Sequence, residues 1–585
     1  MTNLFKLWFT LLAVTALYIK ADAQSAYDWH KAEWAIGICE PDTENVFHRL
    51  PARLQSRVAK GVWNQSLNSA GEYLHIRTTA RSFTIKYRLS GKTYHLRHMP
   101  STGVSGLDLY AKDIHGQWNW APPAKYAFGD TCVYEYKDLK ITARNTAEFY
   151  LYLPLYAIVQ EIVIGIPQGE RFEYLKPDHD LPIVAYGTSI MQGAVASRPG
   201  LAWTNMLHRA LGRDVINLGF SGNGRFDAPI FDLMAEVNAR LYILDCMPNL
   251  FIKKYFPPDT IISRLRYGIS KLRARHPEVP ILLAEHPAGA MPDDMDTATV
   301  STYHLASLTI KKIYDQLAAE GVTNLHLLNE AEINFDINST TDGTHPNDRG
   351  MMQYARAYEK KIRLILAEPV GDISTQRPVE QYRDGFDWRK RHEEIIDLTS
   401  KDRPEVIIFG NSIINYWGGK PKPEKVAFSG EDAWQRYMEP SKVQNAGFGN
   451  DRIENVLWRV YHGELDQFKG KKIVLMIGTN NLVWNTDGEI LKGLTFLIEQ
   501  IKTRQPAAII YMSGILPRRS TLQRVLALNS QIKRVAKLTQ CRYFDFSKSF
   551  LQGKSLNDHL FKPDGLHPNA EGYEVLGKCL EKMLN

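Results

Sequence analysis

Two short blocks of this chain occur twice, in the same order and at nearly the same distance. Asp342-Gly-Thr-His-Pro-Asn347 returns as Asp564-Gly-Leu-His-Pro-Asn569, and Gly187-Thr-Ser-Ile190 returns as Gly410-Asn-Ser-Ile413. The serine and histidine of each pair stand 156 residues apart in the first copy and 155 in the second. A separation conserved over that length implies that the intervening sequence was duplicated too. Each copy has the length of a whole domain rather than of a solenoid unit, so the chain must build one fold twice.

The pattern inside each copy says which kind of fold. The first has strand-like runs at Ile183–Tyr186, Asp214–Asn217, Leu241–Leu244, Ile281–Ala284 and Leu325–Leu328, with helical stretches between them. The second has them at Val406–Phe409, Lys442–Asn445, Ile473–Met476, Ala508–Tyr511 and Arg542–Asp545, and a last helix over 570–584. Strands alternating with helices predict a parallel sheet covered on both faces and joined by right-handed crossovers. The stretch from about Ala26 to Pro177 reads differently. Runs at Tyr73–Thr78, Ser82–Leu89, Cys132–Tyr136, Glu148–Leu153 and Ile162–Ile166, parted by turn residues, predict an antiparallel sandwich. Ahead of it, Lys6, the apolar run Leu7–Ile19 and Ala21-Asp22-Ala23 form a secretory leader. The expected organisation is a leader over 1–23, a β-sandwich over 24–178, α/β domains over 179–370 and 404–585, and a docking segment over 371–403. Export to the periplasm or beyond is expected, without stable membrane insertion, because the leader's apolar run is too short to span a bilayer.

Composition removes several function classes. Of 585 residues, 44% are hydrophobic and 23% charged, as in globular proteins, so a disordered chain is excluded. The net charge of +7 is spread without a basic block, which argues against nucleic acid as a partner. Five cysteines contain no Cys-x-x-Cys pair, so neither a zinc knuckle nor a disulfide framework is signalled. His-Glu-x-x-His is absent, and no metal is expected. Gly-x-Ser-x-Gly is absent around both serines.

The duplicated blocks carry chemistry. Each serine follows the first strand of its copy and each histidine precedes the last helix, which places both at the carboxyl edge of an open parallel sheet. A serine hydroxyl becomes nucleophilic when an imidazole takes its proton, and an acid fixes the tautomer of that imidazole. Asp342 and Asp564, three residues before their histidines, can turn back onto the ring. An oxyanion needs preorganised donors too. Asn217-Leu-Gly-Phe-Ser-Gly222 and Asp245-Cys-Met-Pro-Asn249 lie after strands two and three of the first copy. Asn445-Ala-Gly-Phe-Gly-Asn450 and Gly478-Thr-Asn-Asn481 hold the same stations in the second.

Ser, Gly, Asn and Asp-x-x-His in that order resemble the SGNH (GDSL-type) hydrolases, over about Leu181–Glu368 and again over about Pro404–Asn585. The resemblance implies two three-layer α/β/α, flavodoxin-like domains. It implies the catalytic sets Ser189, Asp342, His345 and Ser412, Asp564, His567. Its oxyanion donors would be Gly222 and Asn249 in the first copy, and Asn450 and Asn480 in the second. The second copy resembles platelet-activating-factor acetylhydrolase-like esterases. The first resembles a branch preceded by a β domain marked Gly-x-Asp-Leu-Tyr, present here as Gly106-Leu-Asp-Leu-Tyr110. Two departures stand out. Thr188 and Asn411 occupy the usual place of an acid, and Asn450 occupies that of a glycine, where a side chain meets a cost if φ is positive.

The expectation is an exported esterase with two active sites, removing acetyl or other small acyl groups from plant-type or other acetylated polysaccharide, with no cofactor. Its alternatives are a phospholipid or lysophospholipid acylhydrolase, and a carbohydrate-binding protein with a degenerate copy. Trp203, Trp417, Trp458 and Trp484 read as core, and Asp108 and Tyr110 as β-domain framework.

Overall fold

A computed structural model describes residues 27–40, 45–113, 116–139, 147–177, 180–251, 256–287, 297–381, 387–422 and 428–584. The leader lies outside the described residues. The chain divides into two compact units. The antiparallel strands and the first α/β repeat, through Ile365, form one; the other begins at Leu366 and holds the second repeat.

Among the described residues of the first unit, ten strands make two antiparallel sheets. They are β1 Tyr27–Lys31, β2 Tyr73–Thr78, β3 Phe83–Ser90, β4 Asp108–Lys112, β5 Trp118–Ala121, β6 Lys125–Ala127, β7 Cys132–Tyr136, β8 Ala147–Tyr152, β9 Ile158–Pro167 and β10 Phe172–Leu175. Their orders are β1-β9-β3-β7-β6 and β10-β2-β8-β4-β5. Alternation along β2 and β8 sends Leu74, Ile76, Phe149 and Leu151 into the sandwich core with Ile85 and Ile164. The opposite face of the same strands carries Tyr73, Tyr150 and Tyr152, with Tyr110 from β4. That second face is buried as well, against the first α/β repeat. Tyr73 Oη donates to Asp214 Oδ1 at 2.5 Å, and Tyr152 Oη meets His208 Nδ1 at 2.8 Å.

The first repeat contributes β11 Ile183–Gly187, β12 Val215–Gly219, β13 Leu241–Asp245, β14 Ile281–Ala284 and β15 Leu325–Leu328, all parallel, in the order β12-β11-β13-β14-β15. The second contributes β16 Val406–Gly410, β17 Val443–Gly447, β18 Lys472–Met476, β19 Ile509–Ser513 and β20 Arg542–Phe544, in the order β17-β16-β18-β19-β20. This 2-1-3-4-5 order is that of the flavodoxin-like sheet, whose crevice opens where the order reverses beside strand one. Every residue of β11, β12, β13 and β16 is buried, because helices cover both faces; hence these strands are mostly apolar and do not alternate, with Asn217 and Asp245 as buried exceptions.

The segment before the second repeat is built into the second unit. Asp387 caps the helix Trp388–Asp402 by accepting the Lys390 amide at 3.0 Å. Trp388 and Ile395 then enter the core with Ile407, Phe409 and Trp458. Among the described residues no helix is long and apolar enough to cross a membrane.

Candidate active site

In each repeat the strand-one serine opens a one-turn helix, Ser189–Gln192 and Ser412–Asn415. The residue before it is the cap. Thr188 Oγ1 accepts from the Ile190 amide at 3.3 Å and Asn411 Oδ1 from the Ile413 amide at 2.9 Å. The two side chains in the place of an acid thus hold the first turn of the helix that presents the serine. Gly219 and Gly447, at the ends of β12 and β17, let the chain pass this helix closely. A Cβ on either would sit 2.3 Å from the Gln192 amide nitrogen or 2.5 Å from that of Asn415.

The histidines arrive from the far end of each repeat. Ser189 Oγ lies 2.9 Å from His345 Nε2, whose Nδ1 lies 2.8 Å from Asp342 Oδ2. In the second repeat the matching distances are 2.8 Å from Ser412 Oγ to His567 Nε2 and 2.7 Å from Nδ1 to Asp564 Oδ2. The other carboxylate oxygen fastens the loop. Asp342 Oδ1 accepts the amides of Thr344 and His345, and Asp564 Oδ1 those of Leu566 and His567. Burial alone would raise both carboxyls, but these hydrogen bonds outweigh it and hold both below the usual carboxylate range. Both acids are ionised at neutral pH, as acceptors for an imidazole N–H must be. Both serines are buried, and the imidazoles are partly open to solvent. All six triad residues assemble in two complete relays.

Sheet register aligns the remaining stations. Gly187 pairs with Gly219 and Asp245, and Gly410 with Gly447 and Met476. Three residues beyond the glycines stand Gly222 and Asn450; four beyond Asp245 and Met476 stand Asn249 and Asn480. Gly222 has φ 70° and Asn450 φ 62°. The left-handed conformation flagged by the sequence is therefore present, and asparagine is the non-glycine residue that tolerates it best. Among the described residues neither backbone N–H has a hydrogen-bond acceptor. Asn480 Nδ2 donates to the Asp451 carbonyl at 2.9 Å, which leaves one amide hydrogen. Asn249 Nδ2 makes two longer contacts, to Gly224 O at 3.2 Å and Phe220 O at 3.4 Å.

Sequence reasoning missed some neighbours of the triads. His98, on a β-domain loop, lies 5.6 Å from the His345 ring between centroids, and Tyr416 lies 5.4 Å from His567. No motif marked either. His98, Asp342 and His345 bring three possible metal-ligand atoms within 4.8 Å of one another, though two of these residues are already hydrogen-bonded to each other. Trp484 departs from its core expectation: it is 55% exposed, four residues past Asn480, because it ends a surface turn rather than a packed element. Trp203, Trp417 and Trp458 are buried.

Comparison with known proteins agrees with this geometry. Residues 180–363 and 408–575 each match a model of the GDSL-like lipase/acylhydrolase family, and residues 27–172 match the N-terminus of Esterase_SGNH_hydro-type (GxDLY). Platelet-activating factor acetylhydrolase IB subunit alpha2 of Homo sapiens is 28% identical over 203 residues, 34% of this chain and 83% of that protein. Subunit alpha1 of Homo sapiens is 24% identical over 216 residues, 36% of this chain and 88% of that protein. A structure described as a GDSL-like lipase from Bacteroides ovatus is similar with a TM-score of 0.53 and 29% identity, over 58% of this chain and 98% of that one.

Proposed function

Because the chain carries two domains of the GDSL-like lipase/acylhydrolase family behind a GxDLY N-terminal domain, and is thus a carboxylic ester hydrolase, we propose that both domains are active acetylesterases of an exported protein. The observation that carries this reading is the completeness of both relays, with serine-to-imidazole distances of 2.9 and 2.8 Å. A copy that had lost its role would have had no reason to keep them.

In each site His345 or His567 takes the proton of Ser189 or Ser412 as Oγ bonds to the ester carbonyl carbon. The carbonyl oxygen becomes an oxyanion that accepts from the backbone N–H of Gly222 or Asn450 and from the amide of Asn249 or Asn480. Asn480 has a hydrogen to spare for it; Asn249 gives up its 3.4 Å contact to Phe220. Collapse of the intermediate breaks the ester C–O bond, and the imidazolium gives its proton to the departing alcohol. Water, deprotonated by the same imidazole, then attacks the acyl-serine and releases acetate and the free serine.

An acetyl rather than a long acyl group is supported by the likeness to the acetylhydrolase subunits. The leader pattern at Met1–Ala23 supports export. Two unlike ester sites in one chain suit a polymer acetylated at more than one hydroxyl, so the substrate is an O-acetylated polysaccharide.

The test measures acetate release by Ser189→Ala, Ser412→Ala and the double variant, from an aryl acetate and from defined acetylated oligosaccharides. Each single variant is expected to lose its own subset of acetyl positions, by about 10⁴-fold or more at that site. Full activity in the double variant would sink the serine mechanism. Faster cleavage of a long-chain phospholipid ester than of any acetylated glycan would replace the polysaccharide with a lipid substrate.

A further inference from the structure

Each oxyanion loop is held from outside its own α/β repeat, and by the same device. In the first unit Arg49 lies on the loop between β1 and β2, far from the repeat in sequence. Its guanidinium is buried, and Nη1 donates to Gly219 O at 2.6 Å and Asn217 O at 3.1 Å. Nε donates to Asn68 O at 2.8 Å, and Cζ lies 5.2 Å from the centre of the Phe220 ring. In the second unit Arg391 lies on the helix Trp388–Asp402. It too is buried, with Nε donating to Gly447 O at 2.8 Å, Nη1 to Pro421 O at 2.6 Å and Nη2 to Asn445 Oδ1 at 3.5 Å. Its Cζ lies 5.4 Å from the Phe448 ring.

These two arginines do not correspond in the duplication. One precedes its repeat across most of the sandwich, whereas the other stands 15 residues before β16. Yet both grip the carbonyl of the last residue of strand two and cover the phenylalanine that follows it. Two residues beyond that phenylalanine are Gly222 and Asn450, in the left-handed conformation that aims their N–H groups. A strand end is where a chain is freest to drift, since the ladder has stopped and only the Phe220 and Phe448 amides, bonded to Gly187 O and Gly410 O, still tie it to strand one. A five-donor fork with a fixed plane suits the task of pinning carbonyls there. Burial draws both guanidinium pKa values down to about 10, which leaves both charged at neutral pH.

We infer that Arg49 and Arg391 are positioning residues of the two active sites, each fixing the oxyanion loop of its repeat, so that the GxDLY domain and the segment before the second repeat are functional parts of the hydrolases they precede. The inference rests on the serine mechanism above. Neither arginine touches substrate; each acts through the backbone of Gly219 or Gly447.

The experiment uses the full chain with one site silenced. Arg391→Met and Arg391→Lys are made in Ser189→Ala, and Arg49→Met and Arg49→Lys in Ser412→Ala, with kcat normalised to the folded fraction from circular dichroism. Since oxyanion donors act on the transition state, kcat of each methionine variant should fall by about 100-fold, as for a displacement near 1 Å. KM should stay within about twofold, because substrate binding is not what the loop provides. The lysine variants, which keep one donor near the glycine carbonyl, should recover part of the loss. If a methionine variant does not fold, a folded lysine variant with reduced kcat and steady KM supports the inference. Wild-type kcat per folded molecule in the folded arginine variants overturns it. Activity surviving in Ser189→Ala/Ser412→Ala overturns the serine mechanism instead, a result distinct from a silent double variant with unaffected arginine variants.

Discussion

Asp245 closes β13 four residues before Asn249, and it is a carboxyl enclosed on all sides. Tyr358 Oη donates to its Oδ2 at 2.9 Å. Burial raises its pKa to about 7, and the tyrosine only partly offsets this. The register partner in the second repeat is Met476, so the two copies differ here by one ionisable group. In the unfolded chain an aspartate ionises near pH 4, about three units lower. Between those two values the folded protein holds a proton that the unfolded chain has released, so stability falls as pH rises through the window and levels off above about 7. The expected size is of order a few kcal/mol in the first unit. Asp245→Asn should flatten this slope. Calorimetric midpoints measured across the window check it, and an unchanged slope in the asparagine variant would falsify the assignment of the proton to Asp245.

At the scale of elements, the turn after strand two shows what sequence could and could not reveal. The serines, histidines and their aspartates were legible because duplication repeated them at one spacing, and because β11 and β16, which lead into the serines, are unbroken apolar runs. The edge strands β1, β5, β6 and β10 were not, since edge positions alternate weakly and carry exposed residues such as Trp29, Trp120 and Tyr126. Arg49, Arg391 and His98 were invisible for another reason: a side chain that reaches a site from outside its α/β repeat leaves no pattern within that repeat. Asn450 was flagged from its misfit with the glycine of the first copy, and its φ of 62° accounts for the flag. If backbone conformation governs this position, Asn450→Gly should keep or slightly raise the stability of the second unit, whereas Asn450→Ala should lower it by about 1 kcal/mol. Urea denaturation of both variants separates the cases. Equal loss in glycine and alanine would mean that the asparagine side chain, and not its φ, matters.

At the scale of the whole first unit, the Asp-Leu-Tyr stretch of β4 is a bridge between the antiparallel sheets and the α/β repeat. Asp108 Oδ1 accepts from Trp120 Nε1 at 2.7 Å within its own sheet, while Oδ2 accepts from Arg198 Nη1 at 2.6 Å and the Gly200 amide at 2.8 Å in the α/β repeat. Arg198 donates to Tyr110 Oη as well, at 2.7 Å, and Thr102 Oγ1 to Ser197 O at 2.6 Å. So the framework reading of Asp108 and Tyr110 was right in kind, but the frame extends beyond the sandwich. Ser197 in turn gives its amide and hydroxyl to Asp348, three residues past His345. The loop 197–201 therefore ties the antiparallel sheet to the segment that carries the histidine. Burial pushes the Asp108 carboxyl up, against the pull of Arg198. Removing the carboxylate leaves Trp120 Nε1 and the Gly200 amide without their acceptor, while Arg198 keeps Tyr110 Oη. Asp108→Ala should destabilise the first unit by about 2–4 kcal/mol, the cost of leaving two buried donors without an acceptor. Hydrogen exchange read by mass spectrometry should then show β2, β4 and β8 losing protection together with β11 to β15, while β16 to β20 keep theirs. Loss confined to the antiparallel strands would show instead that the sandwich unfolds on its own, and that the bridge adds contact without cooperativity.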